Sequence, residues 1–396
     1  MDSKLYLDTA RVGRMTIGAQ RACGKAVELA QSDPQLIYQA IINPGANSGV
    51  TLWTGLDGIS SSIRKFTDCP DNRKLVTASN SASLVKLAAR SLFLVSRRLL
   101  VTDLIWPNHL EELKKECHRT NNELQVVPVR HLIAKQGWHS GEISELITTC
   151  YDEQDCDALF LTAVSYDGIR LPLDSIFAVI GRSNKVRLSV VDGAQEFAHC
   201  DAKLKNLPCD LYLFGSHKWL GAYHPMSLGL YGKRRSGDFL EQTLERLIAT
   251  REVCDPLLKF TFSLQTGRTD EPNETVNFLP LLATSGAIDD LAQRPAGFQT
   301  RLTNARRFVD IAKEAGWQSA NRFSDPSFET GIVVLSNRKN KMVHPTVVES
   351  SFFEQGIVLT GYPGGRIRAS MPIGRFTVAE EKLVAAALNS VACAGS

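Results

Sequence analysis

Phe214-Gly-Ser-His-Lys-Trp-Leu-Gly-Ala222 is the stretch that decides the fold of this 396-residue chain. The apolar run Asp210-Leu-Tyr-Leu-Phe214 predicts a buried β-strand before it, and Ser227-Leu-Gly-Leu-Tyr231 predicts the next strand. Lys218 is therefore expected in a short loop that both strands hold in place. A lysine fixed in this way can form a Schiff base with an aldehyde, whereas most lysines are solvated charges on the surface.

An aspartate upstream gives such a lysine a chemical use. Asp192 follows the apolar run Val186-Arg-Leu-Ser-Val-Val191, and Gln195 comes three residues later. At the pyridine nitrogen of pyridoxal 5'-phosphate (PLP), a carboxylate keeps the nitrogen protonated, so that the ring withdraws electrons from a substrate carbanion. Gln195 is expected to bond the ring hydroxyl or the imine region. An aspartate that caps the turn at Gly193 is the structural alternative. Together, the lysine and aspartate motifs predict a PLP enzyme.

The phosphate of PLP needs backbone N–H groups and small hydroxyls at a helix N-terminus. Ala78-Ser-Asn-Ser-Ala-Ser83 supplies them just before apolar residues at helical spacing, and we assign the Ser81 hydroxyl and the Ala82 amide to the phosphate. Ser216 and His217, beside the lysine, are further donors. A plain N-cap serine explains the first segment equally well.

Three more side chains are expected at the same edge of the sheet. Trp106 follows a strand in a loop held by Pro107, where a flat ring can stack on the pyridine, although core packing is the alternative. Ser165 also follows a strand. Arg368 is expected to bind the substrate carboxylate through two parallel hydrogen bonds. Arg366 points the same way in a strand, so alternation alone does not choose between the two arginines.

The composition excludes several classes of protein. A net charge of +3, with scattered positive residues, does not indicate nucleic-acid binding. The nine cysteines have no metal or redox spacing, which favours free thiols in a reducing cytoplasm. No uncharged apolar stretch reaches the length of a membrane span, so we expect a soluble cytoplasmic protein without a membrane partner. Walker and dinucleotide fingerprints are absent, and no histidine spacing indicates a metal.

The order of apolar runs predicts an α/β protein. Strand-like and helix-like segments alternate over the first 250 or so residues, which is typical of a mostly parallel central sheet with helices on both faces. The stretch from Arg251 to Asn273 is expected to be irregular. We predict a large PLP-binding domain over residues 20–260 and a smaller C-terminal α+β domain over residues 275–396. Residues 1–19 are expected to pack near the small domain.

These motifs resemble those of the class V aminotransferase superfamily, PLP enzymes of fold type I that include cysteine desulfurases, kynureninase and isopenicillin N epimerase. The resemblance spans most of the chain. The motifs that carry it are, in chain order, Tyr6-Leu-Asp-Thr-Ala10, Val191-Asp-Gly-Ala-Gln195, His217-Lys-Trp-Leu220, Ser227-Leu-Gly-Leu-Tyr231, Ile367-Arg-Ala-Ser370 and Thr377-Val-Ala-Glu-Glu381.

The resemblance implies a role for each matching side chain. Lys218 carries PLP, Asp192 holds the pyridine nitrogen and Gln195 bonds the ring oxygen. His217 and Ser81 bind the phosphate. The same resemblance places Trp106 where relatives have the aromatic residue or histidine that stacks on the cofactor ring, and Arg368 in the C-terminal Arg-x-Ser motif.

Three positions depart from the family pattern. Relatives often have a serine at the position of Gly215, one residue before Ser216, an acidic or polar residue at the position of Ala82, and an asparagine after the position of Ser165, where this chain has Tyr166.

Two further segments bear on assembly and chemistry. Thr275, in Glu274-Thr-Val-Asn277, resembles the threonine that reaches the phosphate of the neighbouring subunit, which implies a homodimer with shared active sites. Val358-Leu-Thr-Gly-Tyr-Pro-Gly-Gly-Arg366 contains no cysteine. Cysteine desulfurases carry their persulfide-forming cysteine on the corresponding loop, so sulfur abstraction by that route is not expected.

The sequence predicts an enzyme that acts on an amino acid or an amino-acid-derived metabolite through a Lys218 Schiff base, and we expect aminotransferase-like chemistry. A lyase, an epimerase or an (oxidative) decarboxylase or deaminase of specialised metabolism is the alternative, because pocket residues decide which bond stands perpendicular to the ring. A PLP-binding regulator without catalytic activity is the alternative from another class.

Overall fold

We describe the protein from a computed structural model. The structure describes residues 4–44, 53–69, 73–181, 185–206, 208–232, 234–268, 274–293, 297–337 and 340–393. Within these ranges, no helix combines the length and apolar character needed to cross a membrane.

A seven-stranded sheet forms the centre of the molecule. Six of its strands run in the same direction, and the remaining one, second from one edge, runs antiparallel to both of its neighbours. From one edge to the other, the strands are β2 (Lys74–Ala78), β8 (Ser227–Tyr231), β7 (Leu211–Gly215), β6 (Leu188–Asp192), β5 (Ala158–Thr162), β3 (Arg98–Thr102) and β4 (Glu123–Val127).

Alternate residues of these strands enter two separate apolar cores. In β5, Leu159 and Leu161 face one core, while Ala158 and Phe160 face the other. Every residue of β5, β6, β7 and β8 is buried, as expected for strands covered by helices on both faces. The helices that precede the C-terminal region are α1 (Ile17–Ser32), α2 (Pro34–Ile42), α3 (Gly55–Phe66), α4 (Ser81–Val95), α5 (Pro107–Thr120), α6 (Ser140–Glu153), α7 (Leu173–Ile180), α8 (Arg234–Ala249), α9 (Pro256–Thr266) and α10 (Leu279–Gln293).

A smaller antiparallel sheet and three helices form the C-terminal region. The strand order is β12 (Thr360–Tyr362), β13 (Arg366–Ser370), β10 (Ile332–Ser336) and β9 (Gln318–Ser319). A third apolar core lies between this sheet and the helices α11 (Phe298–Glu314), α12 (Pro345–Glu354) and α13 (Val378–Cys393).

The N-terminal segment packs on the C-terminal region. Strand β1 (Leu5–Tyr6) pairs in parallel with β11 (Ile357–Val358), and Leu7 is buried in the third core. Beyond β1, the amide of Gly13 donates to the carbonyl of His217, in the loop after β7. Residues 5–13 therefore contact both the C-terminal region and the edge of the large sheet. The domain boundaries given above stay a prediction.

The mostly parallel sheet with helices on both faces is confirmed, whereas one local expectation is wrong. The stretch after Arg251 contains α9, which begins at Pro256 and is capped by Asp255, whose carboxylate accepts from the amide of Leu258 at 3.0 Å. The prediction of an irregular segment gave too much weight to Gly267, while residues 269–273 of that segment lie outside the described residues. Pro256 occupies the first helical position, where its missing N–H costs nothing, and Gly267 ends the helix in the left-handed conformation (φ 71°).

Candidate active site

A cavity of about 370 Å³ lies at the carboxyl ends of the parallel strands. Thr162 ends β5, Asp192 ends β6, and Phe214 and Gly215 end β7, so three neighbouring strands deliver residues to the same edge. Seven of the side chains that the sequence predicts for the site line this cavity: Lys218, Asp192, Gln195, His217, Ser81, Trp106 and Arg368.

Lys218 lies in the loop that leaves β7, and the N-terminal segment fixes this loop. The amide of Gly13 donates to the His217 carbonyl at 2.7 Å, and the amide of Thr16 donates to the Gly221 carbonyl at 3.0 Å. A Cβ atom on Gly13 would lie 1.9 Å from the carbonyl oxygen of Lys218, so only glycine allows this approach. Burial lowers the pKa of Lys218 to about 8, against the opposing effect of the Asp192 carboxylate. A lysine with this pKa is partly neutral, and hence nucleophilic, near neutral pH.

Asp192 is buried, and each of its two carboxylate oxygens has a hydrogen-bond partner. Its Oδ1 accepts from the amide of Ala194 at 3.0 Å, and its Oδ2 lies 3.2 Å from Nδ1 of His109. Burial raises the pKa of Asp192, but the hydrogen bond and charge of His109, the Ala194 amide and the charge of Lys218 together bring it below its ordinary value. Asp192 is therefore a carboxylate, which is the form that holds a protonated pyridine nitrogen.

Gln195 is held by hydrogen bonds at both ends of its amide. Nε2 donates to the carbonyl of Ala10 at 2.8 Å, and Oε1 accepts from the indole of Trp219 at 2.8 Å. Beneath them, His199 stacks on Trp219 with ring centroids 3.7 Å apart, and its Nδ1 donates to the Gln195 carbonyl at 2.6 Å. Its Nε2 accepts from the amide of Gly331 at 3.0 Å. Since Nε2 accepts a hydrogen bond and carries no proton, His199 is the neutral Nδ1–H tautomer.

The expected phosphate side combines a helix N-terminus with small polar groups. Ser81 is the first residue of α4, and Asn80 caps that helix through the amide of Ser83, at 3.0 Å. Ser227, which begins β8, lines the same cavity as His217. Burial and the neighbouring Lys218 lower the pKa of His217 to about 4. His217 is thus neutral at pH 7 and contributes hydrogen bonding rather than charge.

Three buried polar atoms of the cavity residues have no hydrogen-bond partner among the described residues: His217 Nδ1, Thr162 Oγ1 and Arg368 Nε. Buried polar atoms in folded proteins are normally hydrogen-bonded, so their concentration around one cavity fits a polar ligand. They suit PLP and an amino acid, which together present a phosphate, a ring oxygen and a carboxylate. No group of three potential metal ligands occurs in the part of the chain that the structure describes.

Arg368 lies in β13 and is buried, with 4% of its surface exposed. Its Nη2 is 3.6 Å from Oδ1 of Asp8, and its Nη1 donates to the Tyr166 carbonyl at 3.3 Å. The hydroxyl of Thr360 donates to the same Asp8 oxygen. Arg366, by contrast, is exposed and donates to the Pro363 carbonyl, outside the cavity lining.

Four residues predicted for the site are not part of this cavity lining: Ala82, Ser165, Ser216 and Thr275. The hydroxyl of Ser165 donates to Asp167 at 2.6 Å and accepts from the amide of Ile169 at 2.9 Å, so it forms the turn after β5. The hydroxyl of Ser216 donates to the Met226 carbonyl at 3.2 Å and closes the lysine loop. Ala82 and Thr275 are exposed.

Four residues that the sequence interpretation did not assign to the site belong to this region. His109, Thr360 and Tyr362 line the cavity, and Asp8 pairs with Arg368 behind it. His109 is three residues after Trp106, at the start of a helix that follows a strand. This position alone could have indicated from the sequence that His109 lies near the site. Asp8 lies in the motif that opens the chain, but its arginine partner is 360 residues further on.

Comparisons with known proteins agree with this geometry. The family model described as aminotransferase class V matches residues 40–242. An alanine–glyoxylate aminotransferase from Nostoc sp. is 15% identical, with a TM-score of 0.69 and coverage of 99% of this chain and 96% of that one. The cystine C–S lyase C-DES, in complex with its product cysteine persulfide, is 14% identical, with a TM-score of 0.71 and coverage of 99% and 98%.

A third similar structure is a cysteine desulfurase from Escherichia coli, which is 15% identical, with a TM-score of 0.68 and coverage of 98% of this chain and 95% of that one. A search of the curated proteins found no match. At these identities the structural likeness shows the fold, while the family model matches just over half of the chain. The protein belongs to the class V aminotransferase family and is a PLP-dependent enzyme of fold type I.

Proposed function

We propose that the protein is an aminotransferase-like enzyme that acts on an amino acid or an amino-acid-derived metabolite, with Lys218 as the residue that holds PLP. The observation that carries the proposal is that Lys218 and Asp192 line the same cavity, at the ends of two neighbouring parallel strands. The residues present fit the cofactor: a carboxylate for the pyridine nitrogen, an amide for the ring oxygen, and a helix N-terminus with Ser81 for the phosphate.

PLP, when bound, supplies an electron sink for negative charge at the substrate Cα. The chain supplies the groups that place and move protons. Asp192 keeps a proton on the ring nitrogen because His109 and Ala194 hold it in the carboxylate form. Lys218, with its lowered pKa, would accept the proton from the substrate Cα once a substrate amine had taken its place on the cofactor, and would then hold that proton as an ammonium until it is given back to the substrate-derived product.

Arg368 is the group we assign to the substrate carboxylate. Its Nη1 and Nη2 are held by Tyr166 and Asp8, whereas Nε has no partner among the described residues. The guanidinium is therefore fixed in orientation and keeps a donor for a ligand. An arginine already in position loses little side-chain entropy when it binds a carboxylate.

A spectroscopic experiment tests the role of Lys218. Purified wild-type protein should show the visible absorbance of PLP linked to a lysine, and borohydride reduction followed by peptide mapping should place the label on Lys218. Lys218→Ala should lose both signals, while Lys203→Ala, at an exposed lysine outside the cavity lining, should keep them. Protein that binds no PLP, or a label on another lysine, would overturn the proposal.

The reaction itself is tested with a panel of amino acids, with and without a keto-acid acceptor. Amino transfer that depends on the acceptor supports the aminotransferase proposal. Products of elimination, epimerisation or decarboxylation without an acceptor would instead assign the lyase or epimerase alternative. PLP binding without turnover on any member of the panel would favour the regulator. Sulfur release from cysteine would contradict the expectation drawn from the cysteine-free segment at residues 358–366.

A homodimer with shared active sites is also proposed. Thr275 is exposed and lies outside the lining of its own cavity, which agrees with a role toward the phosphate of a neighbouring subunit. Light scattering should give twice the mass of the chain, and Thr275→Ala should weaken PLP binding without changing that mass. A monomer at micromolar concentration would contradict this part. Six of the described cysteines are free thiols, namely Cys23, Cys117, Cys150, Cys156, Cys200 and Cys254, which supports the cytoplasmic location we propose.

A further inference from the structure

We infer that Trp219 is a positioning residue for the cofactor. Its indole N–H fixes the side-chain amide of Gln195, so that this amide presents an N–H to the cavity and keeps its oxygen away from it. The inference rests on the proposed function, because the atom that would receive this N–H is the ring oxygen of PLP held by Lys218. It adds a residue outside the cavity lining and a defined orientation of the amide, neither of which follows from the sequence motifs.

Trp219 lies next to the cavity lining without being part of it. Lys218 lines the cavity, whereas the following residue, Trp219, lies outside the lining and is buried in an apolar core, with 2% of its surface exposed. Its Nε1 donates to Oε1 of Gln195 at 2.8 Å. Trp219 can therefore affect a ligand in the cavity only through the groups that it holds.

The two hydrogen bonds of the Gln195 amide exclude the flipped orientation. The carbonyl of Ala10 can only accept, so the amide atom 2.8 Å from it must be the nitrogen. The indole of Trp219 can only donate, so the amide atom 2.8 Å from it must be the oxygen. A flipped amide would place two buried acceptors together at Ala10 and two buried donors together at Trp219, which is costly.

The nitrogen end of this amide is the end at the cavity. Ala10, which accepts from Nε2, lines the cavity together with Gln195, whereas Trp219, which donates to Oε1, does not. Nε2 has two hydrogens, and within the described ranges its bond to Ala10 uses one of them. The second hydrogen can be donated to a ligand. An oxygen that carries negative charge, as the ionised ring oxygen of PLP does, is a strong acceptor for it.

A stacked histidine holds the indole in place. The rings of His199 and Trp219 are nearly parallel, at 5°, with centroids 3.7 Å apart. Both ring nitrogens of His199 are hydrogen-bonded, to the carbonyl of Gln195 and the amide of Gly331, so the ring cannot turn without breaking these bonds. The guanidinium carbon of Arg301 lies 5.1 Å from the Trp219 ring centroid, and its Nη1 donates to the His199 carbonyl at 3.1 Å.

The two supports of the Gln195 amide both lead to the C-terminal end of β13. The amide of Ala10 donates to the hydroxyl of Ser370 at 3.0 Å. The carbonyl of Gly331, whose amide bonds the stacked histidine, accepts from the amide of Met371 at 2.7 Å. Since Ser370 and Met371 are consecutive, one segment of the chain supports the amide at both its nitrogen end and its oxygen end.

The absorbance of the PLP-loaded enzyme against pH tests the inference without turnover. The nitrogen that joins Lys218 to PLP carries a proton that the ring oxygen shares, and the visible absorbance changes when this proton is lost. A donor from Gln195 competes for the ring oxygen, so its removal should make the nitrogen hold the proton more tightly. In Gln195→Ala we expect the midpoint to rise by about 1 pH unit, a 10-fold lower acid constant.

Trp219→Phe keeps an aromatic ring but removes the N–H, and its acid constant should be at least about 3-fold lower than that of the wild type. The double variant should titrate like Gln195→Ala alone, because Trp219 acts through the amide; additive shifts would contradict the inference. Incorporation of 3-benzothienylalanine at position 219 repeats the test with the shape of tryptophan retained and only the N–H removed, so a folding defect of Trp219→Phe cannot decide the result.

Trp317→Phe is the matched control. Its indole is also buried, with 1% exposed, and donates to the carbonyl of Leu388 at 3.0 Å in the third core. This variant should lower the melting temperature and leave the midpoint of the titration unchanged. A Trp219→Phe enzyme that likewise loses stability but keeps the wild-type midpoint would overturn the inference, because Trp219 would then serve only packing.

The outcomes separate this inference from the proposed function. Wild-type protein without the absorbance of lysine-linked PLP would reject both. Wild-type protein with that absorbance, and a midpoint that moves in Gln195→Ala but not in Trp219→Phe, would retain the function and reject the role of Trp219. An unchanged midpoint in Gln195→Ala would also reject the inference alone, because the amide would then not reach the ring oxygen.

Discussion

His109 Nδ1 lies 3.2 Å from the buried carboxylate of Asp192, so the residue expected to face the cofactor nitrogen is itself supported from the start of α5. The side chain of His109 is 12% exposed and that of Asp192 is 8% exposed. A hydrogen bond this sheltered from water fixes both the orientation and the ionisation of the carboxylate. His109 therefore acts on the site through Asp192.

Removal of this support should weaken cofactor binding. In His109→Ala, we expect the dissociation constant of PLP to rise about 10-fold, because Asp192 loses a charge-assisted hydrogen bond and its pKa rises. Equilibrium dialysis of the apoprotein against PLP measures the constant. His118→Ala, at an exposed position of the same helix, should leave it unchanged. Equal constants for wild type and His109→Ala would show that Asp192 needs no support.

Capture of PLP by Lys218 should depend on pH. Only the neutral amine reacts, and its fraction rises with pH until the pKa of about 8 is passed. The rate of capture by the apoprotein should therefore increase nearly 10-fold per pH unit below 7 and level off above about 8. Stopped-flow absorbance gives the profile. Because Asp192 raises the pKa of Lys218, Asp192→Asn should move the midpoint to lower pH. A profile still rising at pH 10 would contradict the lowered pKa.

Asp8 should stabilise the fold through Arg368. Asp8→Asn leaves a buried guanidinium without its carboxylate, and we expect the free energy of unfolding to fall by about 3 kcal/mol. Urea denaturation measures this change. Added acetate should restore stability in Asp8→Asn more than in wild type, because it binds the freed arginine. Asp310→Asn, in an exposed ion pair with Lys313, should cost under about 1 kcal/mol. Equal losses in the two variants would contradict the buried pair.

Two glycine substitutions should have opposite effects. Gly13→Ala forces the N-terminal segment away from the lysine loop, since its Cβ would lie 1.9 Å from the Lys218 carbonyl oxygen. We expect both the melting temperature and PLP affinity to fall. Gly24→Ala, inside α1 with no atom within 4 Å of the new Cβ, should stabilise the protein by about 0.5–1 kcal/mol. Calorimetry of both variants checks the pair, and a neutral Gly13→Ala would show that the approach is not tight.

The fold was largely predictable because its central strands are buried on both faces. The segments that form β5, β6 and β7 are apolar almost without interruption. Short runs of this kind are typical of parallel strands that are buried on both faces. That Lys218 and Asp192 line one cavity was predictable for the same reason, since strand ends of a parallel sheet meet at one edge. An apolar run therefore sufficed to locate a side chain that lies at the end of its own strand.

Pairings between distant segments were not predictable in this way. His109 is 83 residues from Asp192, and Asp8 is 360 residues from Arg368, so no local spacing relates them. Ser165 shows the opposite error, because it follows a strand as a site residue would, while its hydroxyl is used by the turn around Asp167. Position at a strand end indicates the neighbourhood of a side chain, and its hydrogen bonds decide the role.

The docking of β1 beside β11 sets the order in which a newly made chain can complete its site. Residues 5–13 leave the ribosome well before their partners at residues 356–370. Until then, the segment that fixes the lysine loop lacks its strand partner β11, although the large sheet is already complete in sequence. Capture of the cofactor should therefore follow the synthesis of residues 356–370, which completes the support of the lysine loop.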